Sequence, residues 1–516
     1  MTASLPSHRK REILPPCYRQ IMRDWLAIRA QATPARTALV HASSGEATSY
    51  GTLDDEVERL AGRLAGFGVD VDDHLGVVAE TRPAFVRLAH AASRLGAVLV
   101  PLNARLTARE LTTALDTADV DTLVCTAATE ATAAEAFDGP LATLDPPTAG
   151  ARRVSSIHPE PFELGSWTRD CTAVLLATSG TTGGPKLVRL TMGNLAASAA
   201  ASSWRLGVLP DDCWYCTLPM YHMGGLAPVY RSVLYGTGVA VSEGGFDPAE
   251  SLAEIERNGM TTTSLVPTMC RELLDADDAG VLATLRFVLV GGAPTPDSLV
   301  ERARAAGVAL YPSYGMTETS SQIATASPDQ TRDALGTVGS PLMFTQVRIV
   351  DTDGVPVEPG DSGEIVVSGA TVTPGYYDDP EATAEAFGPH GFHTGDAGYR
   401  DESGQLWVLN RLTDRIITGG ENVDPGAVAA VLRDHPDVDD AFVAGVPDER
   451  FGQRVASLLV GPDSTEPVER FARDRLAGFK IPRQWRLVET LPRTASGTVD
   501  RAAASLLLED ADSDSS

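Results

Sequence analysis

The stretch LLATSGTTGGPKLVRLT, residues 175–191, decides the fold class of this chain. The apolar residues that enter it are typical of a buried strand, and the Ala-rich residues that follow it are typical of a helix. Between them, glycines let the backbone approach a ligand closely, while N–H groups and Ser/Thr hydroxyls can hold an anion. A Walker A loop has Gly directly before its Lys and Ser or Thr after it, whereas Pro185 and Leu187 flank Lys186 here. The stretch therefore predicts a strand, a phosphate-binding loop of another type and a helix in an α/β fold.

The scarcity of lysine supports a binding loop over a flexible linker. Only three of the 42 basic residues are lysines, namely Lys10, Lys186 and Lys480. A linker would explain the Gly and Thr residues of the loop. It would not explain a lysine in a chain that otherwise uses arginine.

Composition limits the partners that we expect. The chain has 516 residues, a formal net charge of -27 and six scattered cysteines. Such a charge disfavours nucleic acid and anionic membranes as partners of the surface as a whole. It also suits high salt, where repulsion is screened, although a GC-rich genome that favours arginine codons is an alternative. The cysteines indicate a reducing, cytoplasmic setting. Because no long apolar run is present, we expect no signal peptide and no membrane span.

The order of apolar runs predicts the domain organisation. Strand-like and helical runs alternate through most of the chain, as in LRFVLVGG followed by DSLVERARAAG, and this predicts an α/β fold with mainly parallel strands. From about Thr337 short strands of alternating polarity predict an antiparallel sheet or a small β-barrel. We therefore predict a large N-terminal α/β domain over 1–410 that includes the small β-barrel, a small mobile α+β C-terminal domain over 411–505, and an acidic disordered tail over 506–516.

Two further motifs carry carboxylates suited to a nucleotide. SYGMTETSSQ, residues 313–322, brings Glu318 just past a strand, where open α/β sheets bind ligands. Near a triphosphate, such a carboxylate is a natural Mg²⁺ ligand. FHTGDAGYRDESG sets Asp396 between two glycines, in a position to hold a ribose diol. The alternatives are a surface carboxylate at Glu318 and a turn residue at Asp396.

Six motifs resemble, in order and spacing, those of the adenylate-forming superfamily: TSGTTGGPK, SYGMTET, GEIVVSG, HTGD, NRLTDRIITGGEN and LPRTASG. The superfamily includes acyl- and aryl-CoA synthetases, luciferases and peptide-synthetase adenylation domains, and the resemblance covers about residues 20–505. LPMYHMGGL, RSVLYG, YGMTETSSQIATASPD and IITGGENV are most similar to the o-succinylbenzoate–CoA ligases of menaquinone biosynthesis. The resemblance implies ATP, Mg²⁺ and coenzyme A as ligands. It also implies that a carboxylate attacks the α-phosphorus of ATP to give acyl-AMP and pyrophosphate, and that the thiol of coenzyme A then displaces AMP.

The resemblance assigns roles to individual residues of this sequence. At the nucleotide it places Thr178, Ser179, Gly180, Thr181, Thr182, Gly183 and Lys186 around the pyrophosphate, Gly292, Ala293, Pro294 and Tyr314 around adenine, Ser313, Gly315 and Met316 beside them, Thr317 at the α-phosphate, and Asp396 and Arg411 at the ribose. It makes Glu318 the metal ligand, and the catalytic residues are Lys186, His222, Thr317 and Glu318. Gly419, Gly420 and Glu421 border the coenzyme A tunnel.

The acyl pocket is expected to involve His222, which matches a gate of the superfamily, with Gly291 and Ser313. Arg231 lies among apolar residues in PVYRSVLYGTG. Because an unpaired buried arginine is costly, we predict that it serves the second carboxylate of o-succinylbenzoate, directly or through water. The alternatives are a structural histidine at His222 and a structural ion pair at Arg231.

One residue departs from the superfamily pattern. Thr498, in LPRTASGTVDR, stands where the superfamily has a lysine that bridges the acyl carboxylate and the α-phosphate. Arg493, Arg501 or Lys480 could supply the charge instead, or the first half-reaction could run slowly.

The leading hypothesis is thus an ATP-dependent acid–CoA ligase for o-succinylbenzoate. The alternatives are a ligase for another aryl or medium-chain fatty acid, a carrier-loading adenylation domain, and a catalytically silent paralogue that binds nucleotide. Only Thr498 favours the silent paralogue, and Glu318, Asp396 and the phosphate loop argue against it. The sequence leaves the oligomeric state open.

Overall fold

The computed structural model describes residues 22–178, 186–414, 416–418, 421–423, 425–448, 451–494 and 499–509. The strands are β1 (Thr37–His41), β2 (Glu46–Ser49), β3 (His74–Val78), β4 (Val98–Leu102), β5 (Thr122–Cys125), β6 (Leu141–Thr143), β7 (Arg152–Arg153), β8 (Thr172–Thr178), β9 (Lys186–Thr191), β10 (Cys213–Cys216), β11 (Gly238–Val241), β12 (Thr262–Leu265), β13 (Phe287–Val290), β14 (Leu310–Met316), β15 (Ser321–Thr325), β16 (Ser340–Pro341), β17 (Thr345–Val350), β18 (Ser362–Gly369), β19 (Phe387–Gly388), β20 (Gly391–Arg400), β21 (Leu406–Arg411), β22 (Ile416–Thr418), β23 (Glu421–Val423), β24 (Asp440–Asp448), β25 (Gly452–Val460) and β26 (Gln484–Leu487). The helices are α1 (Trp25–Ala32), α2 (Tyr50–Ala65), α3 (Pro83–Leu95), α4 (Ala108–Thr117), α5 (Glu130–Ala136), α6 (Met192–Leu206), α7 (Met223–Tyr235), α8 (Pro248–Asn258), α9 (Pro267–Ala276), α10 (Asp297–Ala305), α11 (Pro328–Asp333), α12 (Pro380–Ala386), α13 (Pro425–Arg433), α14 (Thr465–Arg473) and α15 (Arg501–Glu509).

Two large, mainly parallel sheets confirm the α/β prediction. The first has seven strands in the order β7-β6-β5-β3-β4-β8-β9, and the second has nine in the order β16-β15-β14-β13-β12-β10-β11-β1-β2. In the first sheet only β8 and β9 are antiparallel neighbours, whereas the second has antiparallel strands at both edges. The carboxyl ends of β10, β13 and β14 therefore meet at one edge of the second sheet, and the predicted site residues follow them.

The sequence explains why these strands and helices form. β13 reads FVLV and all four of its residues are buried, as expected of a parallel strand that is covered on both faces. Helix α3 has Pro83 at its first turn and ends at Gly96, whose φ is 82°. Proline suits the first helical position and glycine suits the left-handed residue that ends a helix.

A third sheet follows the second, at the predicted change of texture. Its strands are all antiparallel, in the order β17-β18-β20-β19 with β21 paired to β20. Among the described strands, β20 pairs with β18, β19 and β21, and no pairing joins β17 to β19 or β21 to close the sheet. These pairings therefore favour the antiparallel sheet over the small β-barrel that the sequence also suggested.

The residues after this sheet have a sheet and a core of their own. The fourth sheet has the order β23-β22-β25-β24 with β26 paired to β25, and α13 and α14 cover it with Val428, Leu432 and Val468 fully buried. Helix α15 runs to Glu509 and buries Leu508 completely. The prediction of a disordered tail from residue 506 is therefore wrong for 506–509, because apolar residues of this segment pack against the sheet. Residues 510–516 lie outside the described part of the chain.

Within the described ranges, the protein has no helix with the length and apolar character that a membrane crossing requires.

Candidate active site

The strands on either side of the predicted phosphate loop, β8 and β9, are antiparallel neighbours. Thr178 is the last residue of β8 and pairs with Lys186, the first residue of β9. The Thr178 hydroxyl donates to the backbone oxygen of Lys186 at 3.3 Å. The loop residues Ser179, Gly180, Thr181, Thr182 and Gly183 lie outside the described residues. The structure thus places both ends of the predicted loop side by side.

Glu318 lies in a 3₁₀ turn, Thr317–Thr319, directly after β14. Its side chain is buried, and this burial raises the pKa of its carboxyl group, while a hydrogen bond from Tyr376 and the charge of Arg411 act to lower it. The two residues that follow the turn, Ser320 and Ser321, have φ values of 56° and 111°. Positive φ is unfavourable for residues with a side chain, and such strain is concentrated at functional sites.

Tyr376 joins Glu318 and Lys186, and the sequence analysis did not identify it. Its hydroxyl donates to Oε1 of Glu318 at 3.2 Å. The Lys186 Nζ lies 5.1 Å from the centroid of its ring, within the range of a cation–π contact. No local signal identified Tyr376, because TPGYYDD reads as an ordinary turn and its contacts are distant in sequence.

Three predicted nucleotide residues form one hydrogen-bonded group. The Tyr314 hydroxyl donates to Oδ2 of Asp396 at 2.6 Å, and Nε of Arg411 lies 2.9 Å from Oδ1 of the same carboxylate. Burial raises the pKa of Asp396, and Arg411 and the Tyr314 hydrogen bond oppose that effect. Asp396 is therefore more than a turn residue. It lies in β20, and its carboxylate is bonded to Tyr314 of β14 and to Arg411 at the end of β21.

The GGAP segment follows β13 beside the end of β14. A side chain at Gly291 would place its Cβ 2.9 Å from the backbone oxygen of Ser313, so the close approach requires glycine. Gly315 is more restrictive, since a Cβ there would overlap the backbone oxygen of Ser321. Next to Gly291, Gly292 has φ of 80°, and exposed or partly exposed Ala293 and Pro294 follow. Met316 continues β14 and receives a hydrogen bond at its backbone oxygen from the Thr319 hydroxyl.

His222 is the N-cap residue of α7, past the carboxyl end of β10. Burial lowers the pKa of its imidazole. Its Nε2 is buried without a hydrogen-bond partner among the described residues. Tyr221 packs against it edge to face, with ring centroids 4.8 Å apart. A buried imidazole that favours its neutral form, and whose Nε2 has no partner among the described residues, is suited to the wall of a pocket.

Arg231 lies within α7 and is 3% exposed. Its Nη2 donates to the Ser198 hydroxyl at 3.1 Å, and Ser198 donates to the backbone oxygen of Ser320 at 2.7 Å. Burial lowers the pKa of the guanidinium. In the described part of the chain no carboxylate lies within ion-pair distance, so the predicted alternative of a structural ion pair is not present there. A position nine residues after His222 lies about 13 Å farther along the helix, so the two side chains do not meet directly.

The C-terminal residues of the predicted site are only partly described. Gly419, Gly420 and Thr498 lie outside the described residues, and Glu421 begins β23. Among the proposed substitutes for the missing lysine, Nη2 of Arg493 pairs with Oδ2 of Asp440 at 2.6 Å. The Lys480 ammonium lies 5.8 Å from the ring centroid of Phe479.

Arg501 is the remaining substitute, and it approaches the nucleotide group. It forms an ion pair with Asp414. Burial lowers the pKa of its guanidinium, the charge of Arg411 lowers it further, and the charge of Asp396 raises it. The charge of Arg501 in turn acts to lower the pKa of Asp396, the carboxylate that we predict to hold the ribose.

The donor set fits magnesium held together with a polyphosphate. Glu318 supplies a buried carboxylate, and the described residues contain no group of three or more His, Cys, Asp or Glu that could hold a metal alone. Mg²⁺ is typically bound by one or two carboxylates together with phosphate oxygens and water. A single Glu318 beside a phosphate loop is consistent with that pattern.

Comparison with known families assigns the class. Residues 26–377 match the family model described as AMP-binding enzyme, and residues 427–498 match the AMP-binding enzyme C-terminal domain. The chain belongs to the AMP-binding enzyme family.

Relatives of known name resemble the chain over nearly its whole length. A 2-succinylbenzoate–CoA ligase of Bacillus cereus is 37% identical over 494 residues, which is 95% of this chain and 99% of that protein. The structure of o-succinylbenzoate CoA synthetase from Bacillus subtilis in complex with its acyl-adenylate intermediate has a TM-score of 0.85 at 34% identity and covers 94% of this chain and 98% of that one. The structure of the same synthetase with ATP and magnesium ion has a TM-score of 0.84 at 34% identity, with 94% and 100% covered.

Proposed function

We propose that the chain is an ATP-dependent, AMP-forming acid–CoA ligase whose acid is 2-succinylbenzoate, a step of menaquinone biosynthesis. The observation that carries the proposal is the similarity to ligases of this name over 95% of the chain. The arrangement of Tyr314, Asp396 and Arg411 at one edge of the site supports it. The cofactors are ATP and Mg²⁺, and coenzyme A is the second substrate.

Each residue of the site has a physical task in forming the acyl-adenylate. Asp396 accepts hydrogen bonds from the ribose hydroxyls, and Arg411 and Tyr314 fix the orientation of its carboxylate. Thr317 and Lys186 hold the phosphates in line for attack by the acid, since catalysis at phosphorus depends on positioning and on neutralising charge. Glu318 would hold the magnesium ion, which neutralises charge on the phosphates. Glu421, together with Gly419 and Gly420, borders the path of coenzyme A in this proposal.

His222 and Arg231 are proposed to serve the acid. His222, with Gly291 and Ser313, would form the wall of the acyl pocket. Arg231 is supported as the partner of the second carboxylate, through water, by its buried and unpaired charge. Its bond to Ser198 offers a second task, since that chain of hydrogen bonds supports Ser320 beside Glu318.

Replacement of Arg231 separates these two tasks. If it serves the second carboxylate, Arg231→Leu lowers kcat/KM for 2-succinylbenzoate at least tenfold more than for benzoate, because one charge-assisted hydrogen bond contributes about 1.5–3 kcal/mol. Both values are measured by pyrophosphate release. Equal losses for the two acids would assign Arg231 to support of the turn at Ser320 alone.

Pyrophosphate release with a panel of acids tests the function itself. The panel contains 2-succinylbenzoate, benzoate, 4-phenylbutyrate and octanoate, each with Mg·ATP and with or without coenzyme A. We expect the highest kcat/KM with 2-succinylbenzoate and CoA thioester as the final product. A preference for octanoate or benzoate would identify another acid as the substrate. Nucleotide binding without turnover would show that the chain is a catalytically silent paralogue.

Three further proposals concern the whole chain. The domain border lies at about residue 410, as supported by the separate sheet and core that follow β21. The protein acts in the cytoplasm, as supported by its scattered cysteines. The charge of -27 and the three lysines support adaptation to high salt.

A further inference from the structure

The segment from Thr373 to Tyr377 lies between the two predicted phosphate-binding groups. The backbone N–H of Thr373 donates to the oxygen of Glu318 at 2.7 Å, and that of Tyr377 donates to the oxygen of Leu187 at 2.8 Å. The segment is thus bonded on one side to the turn that carries Glu318. On the other side it is bonded to β9, whose first residue is Lys186.

The backbone of this segment is fixed at Gly375. Its φ is 138°, a value that side chains rarely adopt, and a Cβ there would lie 2.4 Å from Thr383. The next N–H, that of Tyr376, donates to the Thr383 hydroxyl at 2.9 Å. The backbone that carries the Tyr376 side chain is therefore held in place by its close packing and its hydrogen bond with Thr383.

Tyr376 contacts both charged groups with different parts of one side chain. Its hydroxyl donates to Glu318 Oε1 at 3.2 Å, and its ring centroid lies 5.1 Å from Nζ of Lys186. Within the described ranges, Lys186 and Glu318 make no ion pair with each other. If they did, each would neutralise the charge that the other needs for the nucleotide.

We propose that Tyr376 is a positioning residue that keeps Glu318 and Lys186 apart and oriented, so that each meets a different part of the polyphosphate of ATP. The inference rests on the proposed function, since it assigns the polyphosphate to these two groups. A buried aromatic that only filled the core would need no hydroxyl. Here the hydroxyl is directed at a buried carboxylate, which is costly to leave without a partner.

Three variants separate the hydroxyl from the ring. Tyr376→Phe removes the hydrogen bond to Glu318 and keeps the ring under Lys186, whereas Tyr376→Leu removes both contacts. Tyr377→Phe is the matched control, because that neighbouring hydroxyl donates to Asp119 at 2.9 Å and contacts neither charged group.

Affinities for three nucleotide forms, measured by calorimetry, provide the readout: Mg·ATP, ATP in EDTA, and AMP. For Tyr376→Phe we expect Mg·ATP to bind about tenfold more weakly, as for one hydrogen bond to a charged group, with ATP in EDTA and AMP within twofold of the wild type. For Tyr376→Leu we expect binding of ATP in EDTA to weaken as well, by about threefold, since a cation–π contact to the partly exposed Lys186 contributes about that much. Tyr377→Phe should match the wild type with all three.

Two results would overturn the inference. The first is unchanged Mg·ATP affinity in Tyr376→Phe. The second is an equal loss for AMP and Mg·ATP in either Tyr376 variant, which indicates a core aromatic with only a structural role. These measurements need no acyl substrate. A wild-type protein that binds Mg·ATP but activates no acid would overturn the proposed function, while the same comparison would still decide the role of Tyr376.

Discussion

Lys186 places an ammonium group at the start of β9, next to the end of β8 and above the ring of Tyr376. This position allows it to reach an anion held by the loop between the two strands. Charge-assisted hydrogen bonds are about twice as strong as neutral ones. Because Lys186 is predicted to bind the pyrophosphate part of ATP, which AMP lacks, its removal should weaken binding of the triphosphate more than binding of the monophosphate.

We expect Lys186→Ala to lower kcat/KM for ATP by about tenfold to a hundredfold, as for one hydrogen bond to a charged group. The thioester-forming step, measured from synthetic acyl-AMP, should change little because pyrophosphate has already left. Initial rates of pyrophosphate release over a range of ATP concentrations provide the measurement. ATP kinetics like those of the wild type would contradict the phosphate-loop assignment.

His90 gives the protein a pH dependence of stability. Burial lowers the pKa of its imidazole to about 4, against a raising effect of Asp24 and a further lowering effect of Arg94. The unfolded chain binds a proton at this histidine near pH 6.5, whereas the folded protein binds it only near pH 4. The stability that His90 contributes is therefore complete above pH 6.5 and is lost as pH falls to 4, by up to about 1.4 kcal/mol per pH unit.

Urea unfolding at several pH values tests this expectation. The free energy of unfolding of His90→Leu should fall less steeply than that of the wild type between pH 6.5 and 4. His390→Leu, at a more exposed histidine, is the control. Parallel curves for the wild type and His90→Leu would show that other groups cause the acid sensitivity.

The grouping of candidate site residues was predictable where a short motif contained them. Asp396, Arg411 and Tyr314 come from three separate motifs, and the structure brings them together within hydrogen-bond distance. Tyr376 was not predictable, since its hydroxyl meets a carboxylate 58 residues away in sequence. Contacts of this kind depend on the arrangement of strands, which no local pattern records.

At the scale of elements, helix α6 begins with a capping box that also contacts the segment after β18. The Thr191 side chain accepts from the N–H of Asn194, whose side chain accepts in return from Thr191. The same Asn194 donates its two amide hydrogens to the backbone oxygens of Ala370 and Val372, at 2.9 and 2.8 Å. The cap thus fixes the helix that follows β9 against the segment after β18.

We expect Asn194→Ala to lower the free energy of unfolding by about 2–4 kcal/mol, because it leaves buried backbone groups without partners. Glu110→Ala is the matched control. Glu110 occupies the same position in the capping box of α4 but is exposed, so its loss should be much smaller. Chemical denaturation of both variants provides the comparison, and similar losses would show that the contacts to Ala370 and Val372 do not stabilise the protein.

Strand existence was predictable but strand order was not. Apolar runs such as FVLV indicate buried strands whichever neighbours they have. The chain begins in the second sheet with β1 and β2, builds the first sheet, and then returns to place β11 beside β1. This return joins residues about 200 positions apart, and periodicity contains no information about it. The end of helix α15 was not predictable for a different reason. The acidic residues that follow its three leucines are typical of a disordered tail.

At the scale of the whole molecule, we expect the first half-reaction to depend on a charge from the C-terminal segment. Thr498 lies outside the described residues, but Arg501 is coupled to Arg411 and Asp396. We expect Thr498→Lys to accelerate acyl-AMP formation and to leave thioester formation from synthetic acyl-AMP nearly unchanged, because the added charge acts only while the carboxylate approaches the triphosphate.

Replacement of the basic residues tests which of them supplies the positive charge for acyl-AMP formation while position 498 is threonine. Arg501→Ala should slow acyl-AMP formation because the charge of Arg501 acts on Asp396. Arg493→Ala should have less effect, since that side chain is held by Asp440 in the fourth sheet. Both rates are measured by pyrophosphate release without coenzyme A. If Thr498→Lys and Arg501→Ala both leave the rate unchanged, the step does not depend on a cation from this segment.

The arginine-rich composition also makes the site accessible to spectroscopy. With three lysines in the whole chain, a sample grown with isotope-labelled lysine would give three side-chain signals in a magnetic resonance spectrum. Lys186 lies above Tyr376 and Lys480 lies beside Phe479, and ring currents shift the resonances of groups that face an aromatic ring. Arrival of each substrate could therefore be followed at a single ammonium group inside a protein of 516 residues, without any attached probe.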